Sequence, residues 1–181
     1  FGKLGLSIKS ITIPLVMAAV GVLASIIGTF FVKTREKAEQ GALLMALRRG
    51  VISSSVLVAI ASFFVVKYNL GMEYIGVYYS VLSGLTAGVL IGFSTEYYTS
   101  SKYGPTKYVA SQSVTGPATV IIGGMSVGMM STAVPVVVVS IAILASYYFS
   151  GGAKDAAMGL YGVAISAVGM LSTLGITLAT D

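Results

Sequence analysis

The distribution of charge along this chain constrains its fold more than any other feature. Residues 108–153 contain no Asp, Glu, Lys or Arg, and four further charge-free runs cover residues 10–32, 50–66, 74–95 and 156–180. The hydrocarbon core of a bilayer is about 30 Å thick, so about 20 apolar residues in a helix cross it. A charge at the bilayer centre costs roughly 2.5–3.5 kcal/mol on insertion scales. The pattern therefore predicts an all-α protein, a polytopic bundle of transmembrane helices.

The composition limits what chemistry the chain can perform. Only 9% of the 181 residues are charged, against about 25% in an average globular domain, so the aqueous parts are expected to be short loops. The chain has no Cys and no His, which excludes disulfides, imidazole chemistry and Cys/His metal sites within it. The net charge of +5 does not indicate nucleic-acid binding, because the basic residues flank apolar spans, where they set topology and contact lipid headgroups.

Five spans and one interfacial helix are predicted from the charges, prolines and turn residues. The run 116–149 is too long for a simple crossing, at about 50 Å as one helix, and Pro135 can kink or restart a helix. It is therefore divided into an interfacial helix over 117–129 and a span over 132–149. Pro14 is expected in the first turn of the first span, where its missing N–H does no harm. The remaining spans are predicted at 11–32, 50–66, 74–93 and 156–180.

The basic residues favour one orientation of these spans. Loops 33–49 and 96–107 fall on the same side of a five-span topology and hold seven of the eleven Lys and Arg residues. Loops rich in Lys and Arg stay in the cytoplasm. We therefore expect loops 33–49 and 96–116 and the terminal Asp181 to be cytoplasmic, with the other turns external.

Two predicted spans carry small residues at helical spacing. Gly84, Gly88 and Gly92 recur every four residues on the third span, a ridge that lets another helix approach closely, with a ligand groove as the alternative. The last span has a small-residue face, made of Gly159, Gly162, Ser166, Gly169 and Ser172. We interpret both as helix-packing surfaces.

A polar stripe continues along the last span towards its end. Thr173, Thr177 and Thr180 follow at helical spacing and lead to Asp181. This pattern suggests that the end of the span borders water or an ion site. An interfacial Asp without a role is the alternative, and the residues alone do not decide between them.

Three stretches, in this order, carry a resemblance to a known family. They are Glu96-Tyr97-Tyr98-Thr99-Ser100 with Tyr103-Gly104-Pro105, then Ser113-Val114-Thr115-Gly116-Pro117-Ala118-Thr119, and finally Gly159-Leu160-Tyr161-Gly162 continuing to Gly169-Met170-Leu171-Ser172-Thr173 and Ala179-Thr180-Asp181. Together they resemble the membrane-integral pyrophosphatases, ion-pumping enzymes driven by inorganic pyrophosphate. Each motif alone is weak, but their order and spacing are specific, and the resemblance covers essentially the whole chain.

The resemblance implies an architecture larger than this chain. Members of the family are homodimers with sixteen transmembrane helices per subunit in two concentric rings, and this chain resembles helices seven to eleven. Its first four spans would belong to the outer ring and the last to the inner, catalytic ring. Because the chain opens on Phe1 rather than Met, we expect it to be an internal segment of a multi-pass protein. The expected location is a prokaryotic cell membrane.

The resemblance also implies a site. The family's cytoplasmic funnel holds several Mg²⁺ ions on carboxylates, and these ions hold pyrophosphate, because divalent cations must bridge acidic groups to a polyanion and polarise its phosphoryl oxygens. Asp181 matches the first Asp of the family's Asp-Ala-Tyr-Gly-Pro signature and is the expected Mg²⁺ ligand. Glu96 and Tyr97 are candidate supports of the funnel. K⁺ and Na⁺ are candidate activators, and no ion-gate residue is expected within the chain.

The expected function is hydrolysis of pyrophosphate to phosphate, coupled to pumping of H⁺ or Na⁺ across the bilayer. The isolated chain is expected to be inactive, because the other ligands and the gate residues would lie outside it. An ion-coupled secondary transporter without hydrolytic activity is the alternative, to which Pro135 and the glycines at 123–124 give some support as helix interruptions. A structural subunit of a larger complex is a third interpretation.

Overall fold

The computed structural model describes residues 8–33 and 40–174, and that part of the chain is helical, without a β-strand. The described residues form six α-helices: α1 (Ile8–Thr29), α2 (Gln40–Asn69), α3 (Ile75–Thr99), α4 (Gly104–Ser111), α5 (Pro117–Phe149) and α6 (Ala156–Leu171). Short 3₁₀ turns at Met72–Tyr74 and Gln112–Val114 come before α3 and α5. The prediction of an all-α helical bundle is confirmed.

The chain divides into two compact units. One consists of Phe1–Val89 with Ala142–Asp181, and the other of Leu90–Ile141. In the described residues the first unit contains α1, α2, the first part of α3, the last part of α5, and α6. The second unit contains the end of α3, α4 and most of α5.

Four helices of the first unit share one apolar core. Its buried members are Ile13, Met17, Val66, Val77, Val81, Tyr161 and Ile165, which come from α1, α2, α3 and α6. On α1, α3 and α6 these residues are spaced four apart, so each helix contributes one face. A smaller cluster of Ala24, Val58 and Leu85 joins α1, α2 and α3. The core therefore packs α6 against both α1 and α3.

Many large apolar side chains outside these two clusters are exposed in the described part of the chain. Four helical stretches of the described residues are long and apolar enough to cross a bilayer, namely Ile11–Thr29, Ala42–Asn69, Met72–Val114 and Pro117–Phe149, and the shorter Ala156–Leu171 is also apolar. Side chains such as Ile121, Ile141 and Leu144 on α5 are at least 60% exposed. Leaving each in water would cost roughly 1.5–3 kcal/mol relative to burial. The chain is therefore part of an integral membrane protein.

Helix α5 differs from the sequence prediction. A break between 117–129 and 132–149 was expected, whereas Pro117–Phe149 is one helix of 33 residues with Pro135 inside it. Proline removes one backbone hydrogen bond, but long apolar helices tolerate this loss. The hydroxyls of Ser131 and Thr132 donate to carbonyls three residues earlier, at 2.7 and 2.8 Å, and reinforce the turn before the proline. The predicted break was wrong; an interfacial position of 117–129 stays a prediction.

Two other helices extend beyond their predicted spans. α2 begins ten residues early, so Arg48 and Arg49 are helical rather than part of a loop. α3 continues six residues further, which places Glu96 and Tyr97 in its last turn. Because α1 begins at Ile8, Pro14 lies in the second turn rather than the first. Hydrophobicity marks the part of a helix that prefers lipid, and the helix itself continues into polar sequence.

In the second unit, α4 packs against the beginning of α5. A Cβ atom on Gly123 would lie 3.2 Å from Cγ of Gln112, so the absence of a side chain permits this approach. Gly116, with a φ of +129°, makes the turn between the two helices. The hydroxyl of Thr119 lies 2.9 Å from the Gln112 carbonyl oxygen and 2.7 Å from the hydroxyl of Thr115. These polar contacts close the turn.

Removal of the Thr119 hydroxyl is expected to loosen this turn. Thr119→Val keeps the shape but loses polar contacts worth about 1–2 kcal/mol in total, which raises the open population about 5- to 30-fold. The rate of trypsin cleavage after Lys107 in the detergent-solubilised full-length protein should rise accordingly. Thr132→Val is the control, since within residues 8–33 and 40–174 the Thr132 hydroxyl bonds only the Met129 carbonyl of its own helix. Equal cleavage of the two variants would contradict the prediction.

Candidate functional site

The small-residue face of α6 is buried against neighbouring backbones. Its buried glycines and serine are Gly159, Gly162, Ser166 and Gly169. A Cβ atom on Gly162 would lie 2.8 Å from the carbonyl oxygen of Ser146 on α5, and one on Gly169 would lie 2.8 Å from the carbonyl oxygen of Val81 on α3. Any side chain there would require the helix backbones to move apart, so α6 is packed on protein along this face.

The glycine ridge of α3 meets α6 at two of its three positions. A Cβ atom on Gly84 would lie 2.7 Å from the carbonyl carbon of Ser166 and closer still to its oxygen, and one on Gly88 would lie 3.0 Å from the carbonyl oxygen of Met170. Gly92 belongs to the second unit, whose described residues leave open space at its Cβ position. Among the described residues, the ridge thus contacts α6 at Gly84 and Gly88.

Serine hydroxyls link the helices of the first unit. Ser80 of α3 donates a hydrogen bond to the carbonyl oxygen of Ser146 on α5, at 2.9 Å, and both residues are fully buried. Ser83 makes a longer bond to the carbonyl oxygen of Ala142, at 3.4 Å. A buried hydroxyl needs a partner, and such bonds between membrane helices are worth about 0.6 kcal/mol on average. Serine therefore packs as a small residue and also ties α3 to α5.

The end of α6 rests on α1. The hydroxyl of Ser25 donates to the carbonyl oxygen of Ser172 at 3.2 Å, and both residues are buried. One turn earlier on α1, a Cβ atom on Gly21 would lie 2.8 Å from Cβ of Ser172. The four-residue spacing of Gly21 and Ser25 is a small-residue pattern typical of close helix contacts. This spacing is visible in the sequence, but no contact was predicted from it.

The predicted metal ligand, Asp181, lies outside the described residues. Within residues 8–33 and 40–174, no group of three or more His, Cys, Asp or Glu side chains is arranged to hold a metal ion. A Mg²⁺ ion prefers six oxygen ligands, of which one or two are carboxylates and others are water and phosphate. The role of Asp181 as a Mg²⁺ ligand therefore stays a prediction.

Glu96 and Tyr97 lie at the end of α3, in the second unit. The ring of Tyr97 is 5.3 Å, between centroids, from the rings of both Tyr98 and Tyr103. The hydroxyl of Thr106 on α4 donates to the carbonyl oxygen of Tyr98 at 3.1 Å. This cluster ties the end of α3 to the beginning of α4. A role for Glu96 and Tyr97 in supporting a substrate funnel stays a prediction.

A cavity of about 300 Å³ opens between the α2–α3 and α5–α6 turns. Its charged lining residues are Glu73, Lys154 and Asp155. The Asp155 carboxylate accepts a hydrogen bond from the backbone N–H of Ala157, at 2.9 Å, and so caps α6. The lining thus combines two carboxylates with one ammonium group at the turn that begins α6. The cavity could not be predicted from the sequence, because the two turns are far apart in the chain.

Long apolar helices packed backbone to backbone, with few charged residues outside turns and helix ends, define a polytopic integral membrane protein. Comparison with known proteins identifies the family of membrane proteins to which the chain belongs. The family model described as inorganic H⁺ pyrophosphatase matches residues 2–181. The chain belongs to this family, and the resemblance found in the sequence is confirmed.

Relatives of the chain include pumps named for different ions. A Bacteroides thetaiotaomicron protein named "Putative K(+)-stimulated pyrophosphate-energized sodium pump" is 49% identical over 175 residues, which cover 96% of this chain and 24% of the relative. A K⁺-insensitive pyrophosphate-energized proton pump of Methanosarcina mazei is 42% identical over 173 residues (96% and 25%). A K⁺-stimulated pyrophosphate-energized sodium pump of Thermotoga maritima is 33% identical over 180 residues (94% and 24%). The chain spans about a quarter of the length of these relatives.

Proposed function

We propose that the full-length protein containing this chain hydrolyses inorganic pyrophosphate to phosphate and uses the released free energy to pump H⁺ or Na⁺ across the membrane. The family match over residues 2–181 carries the proposal. It favours the pump over the secondary transporter and the structural subunit considered from the sequence. Because a relative named a sodium pump and one named a proton pump match at 49% and 42% identity, both ions stay in the proposal.

Asp181 is proposed to bind Mg²⁺ together with pyrophosphate at the cytoplasmic end of the span predicted at 156–180. When bound, Mg²⁺ neutralises phosphate charge and polarises the phosphoryl oxygens. The match of Asp181 to the family signature supports this role. K⁺ or Na⁺ activation is proposed from the names of the K⁺-stimulated relatives. We further propose that the protein is a homodimer in a prokaryotic cell membrane. Its loops at 33–49 and 96–116 would lie on the cytoplasmic side.

Coupling is proposed to proceed through movement of α6 against its neighbours. At Gly84 the contact between α3 and α6 is made with backbone atoms of Ser166 rather than with a long side chain, which offers less steric resistance to a rotation of α6. The hydroxyl of Ser150 lies 3.0 Å from the carbonyl oxygen of Ser146 and 3.5 Å from that of Gly159 on α6, so it can exchange one carbonyl partner for another during such a movement. The free energy of pyrophosphate binding at the end of α6 would in this way reach the outer helices.

Transport driven by pyrophosphate tests the proposed function. The full-length protein, reconstituted in sealed lipid vesicles with Mg²⁺ and K⁺, should accumulate H⁺ or ²²Na⁺ when pyrophosphate is added, and a matching ionophore should abolish the gradient. Repeating the assay with and without Na⁺ identifies the ion. Methylenediphosphonate, which is not hydrolysed, is the control and should drive no uptake. Ion exchange that needs no pyrophosphate would indicate a secondary transporter, and neither activity would indicate a structural subunit.

A further inference from the structure

The contact between α1 and the end of α6 has features that ordinary helix packing does not require. α6 ends at Leu171, and Ser172 closes it with a tightened turn in which the N–H of Ser172 donates to the Gly169 carbonyl oxygen at 3.2 Å. The last carbonyl groups of a helix lack intrahelical N–H donors. At this point the hydroxyl of Ser25 supplies a donor from another helix, at 3.2 Å to the Ser172 carbonyl oxygen.

The same point of α1 also limits how close the end of α6 can come. A Cβ atom on Gly21 would lie 2.8 Å from Cβ, 2.9 Å from Cα and 2.9 Å from the carbonyl oxygen of Ser172. Two of these three atoms belong to the backbone, so a methyl group at position 21 would displace the chain itself rather than a flexible side chain. Gly21 therefore fixes the distance between α1 and Ser172. Ser25, through its hydrogen bond to the Ser172 carbonyl oxygen, fixes the rotation of the end of α6.

We propose that Gly21 and Ser25 are positioning residues, which seat the end of α6 on α1 and thereby set the place of the segment that carries Asp181. Only eight residues lie between Ser172 and Asp181. A displacement of about 1 Å in a catalytic group can lower a rate about 100-fold. The consequence for catalysis rests on the proposed function, whereas the seat itself is a contact between two helices that is measurable without activity.

The test uses the full-length protein with a thiol introduced by Thr177→Cys and a water-soluble maleimide as the probe. Gly21→Ala should change the rate of labelling at position 177 at least about threefold, because the added methyl displaces Ser172. Ser25→Ala should change it less, in the same direction. In the protein without the introduced thiol, Gly21→Ala should lower the turnover of pyrophosphate about 10- to 100-fold.

Ser54→Ala is the matched control for this experiment. Ser54 is fully buried on α2, but among the described residues its hydroxyl donates only to the carbonyl oxygen of Val51 in the same helix. Labelling and turnover should match the wild type in this variant. Identical labelling of the Gly21→Ala variant and the wild type, including no labelling in either, overturns the proposal. A wild type that does not hydrolyse pyrophosphate overturns the proposed function instead. The labelling rates alone then test the contact of Gly21 and Ser25 with Ser172.

Discussion

Replacing Asp181 with Asn in the full-length protein is expected to lower the rate of pyrophosphate hydrolysis at least about 100-fold at millimolar Mg²⁺. Asn keeps the size of the side chain but removes the negative charge that balances a divalent cation. A 100-fold loss corresponds to about 2.7 kcal/mol of transition-state stabilisation, which lies within the several kcal/mol that a bound metal ion contributes. Hydrolysis should be measured over a range of Mg²⁺ concentrations, since weaker binding also raises the Mg²⁺ requirement.

The effect of this substitution on binding can be separated from its effect on turnover. Mg²⁺ with methylenediphosphonate should raise the thermal midpoint of the wild-type protein, because a ligand that binds only the folded state stabilises it. Asp181→Asn should reduce this increase. Asp155→Asn is the control, because Asn caps a helix about as well as Asp and Asp155 lies at the other end of α6. A wild-type Mg²⁺ dependence and turnover in Asp181→Asn would rule out the ligand role.

The existence of the long helices could be predicted because the exclusion of charge is a local property of sequence. The ends of helices were predicted less well. Polar residues such as Arg48 and Glu96 continue a helix beyond its apolar part, and hydrophobicity does not register that. The continuity of α5 through Pro135 was missed because the cost of a proline depends on what else supports the surrounding turns.

Contacts between helices could be predicted only in part. The spacing of Gly84 and Gly88 predicted a helix-packing surface, but nothing local identified α6, about eighty residues away, as the neighbouring helix. The bond from Ser25 to Ser172 joins residues 147 positions apart, and its two halves look like ordinary small residues in the sequence. The metal role of Asp181 came from the family resemblance, since a single carboxylate after an apolar helix has no spacing pattern of its own.

Alanine substitutions along the glycine ridge of α3 are expected to have sharply graded effects on stability. The same change in one helix brings the same intrinsic gain, about 1 kcal/mol from the higher helix propensity of alanine. At Gly84 the new Cβ would overlap backbone atoms of Ser166, and forced separation of packed helices costs about 1–3 kcal/mol or more. At Gly88 the closest atom would be 3.0 Å away, a much smaller overlap.

Gly92→Ala serves as the internal control of this series, because its Cβ position is open among the described residues of its unit. The thermal midpoints of the full-length variants in detergent should therefore decrease in the order Gly92→Ala, Gly88→Ala, Gly84→Ala. The midpoint of Gly92→Ala should lie at or above that of the wild type. Gly84→Val should prevent accumulation of folded protein, since two further methyl groups enter the same contact. If Gly84→Ala were as stable as Gly92→Ala, α3 and α6 would not approach each other at Ser166, and the close packing on which the proposed movement of α6 depends would be lost.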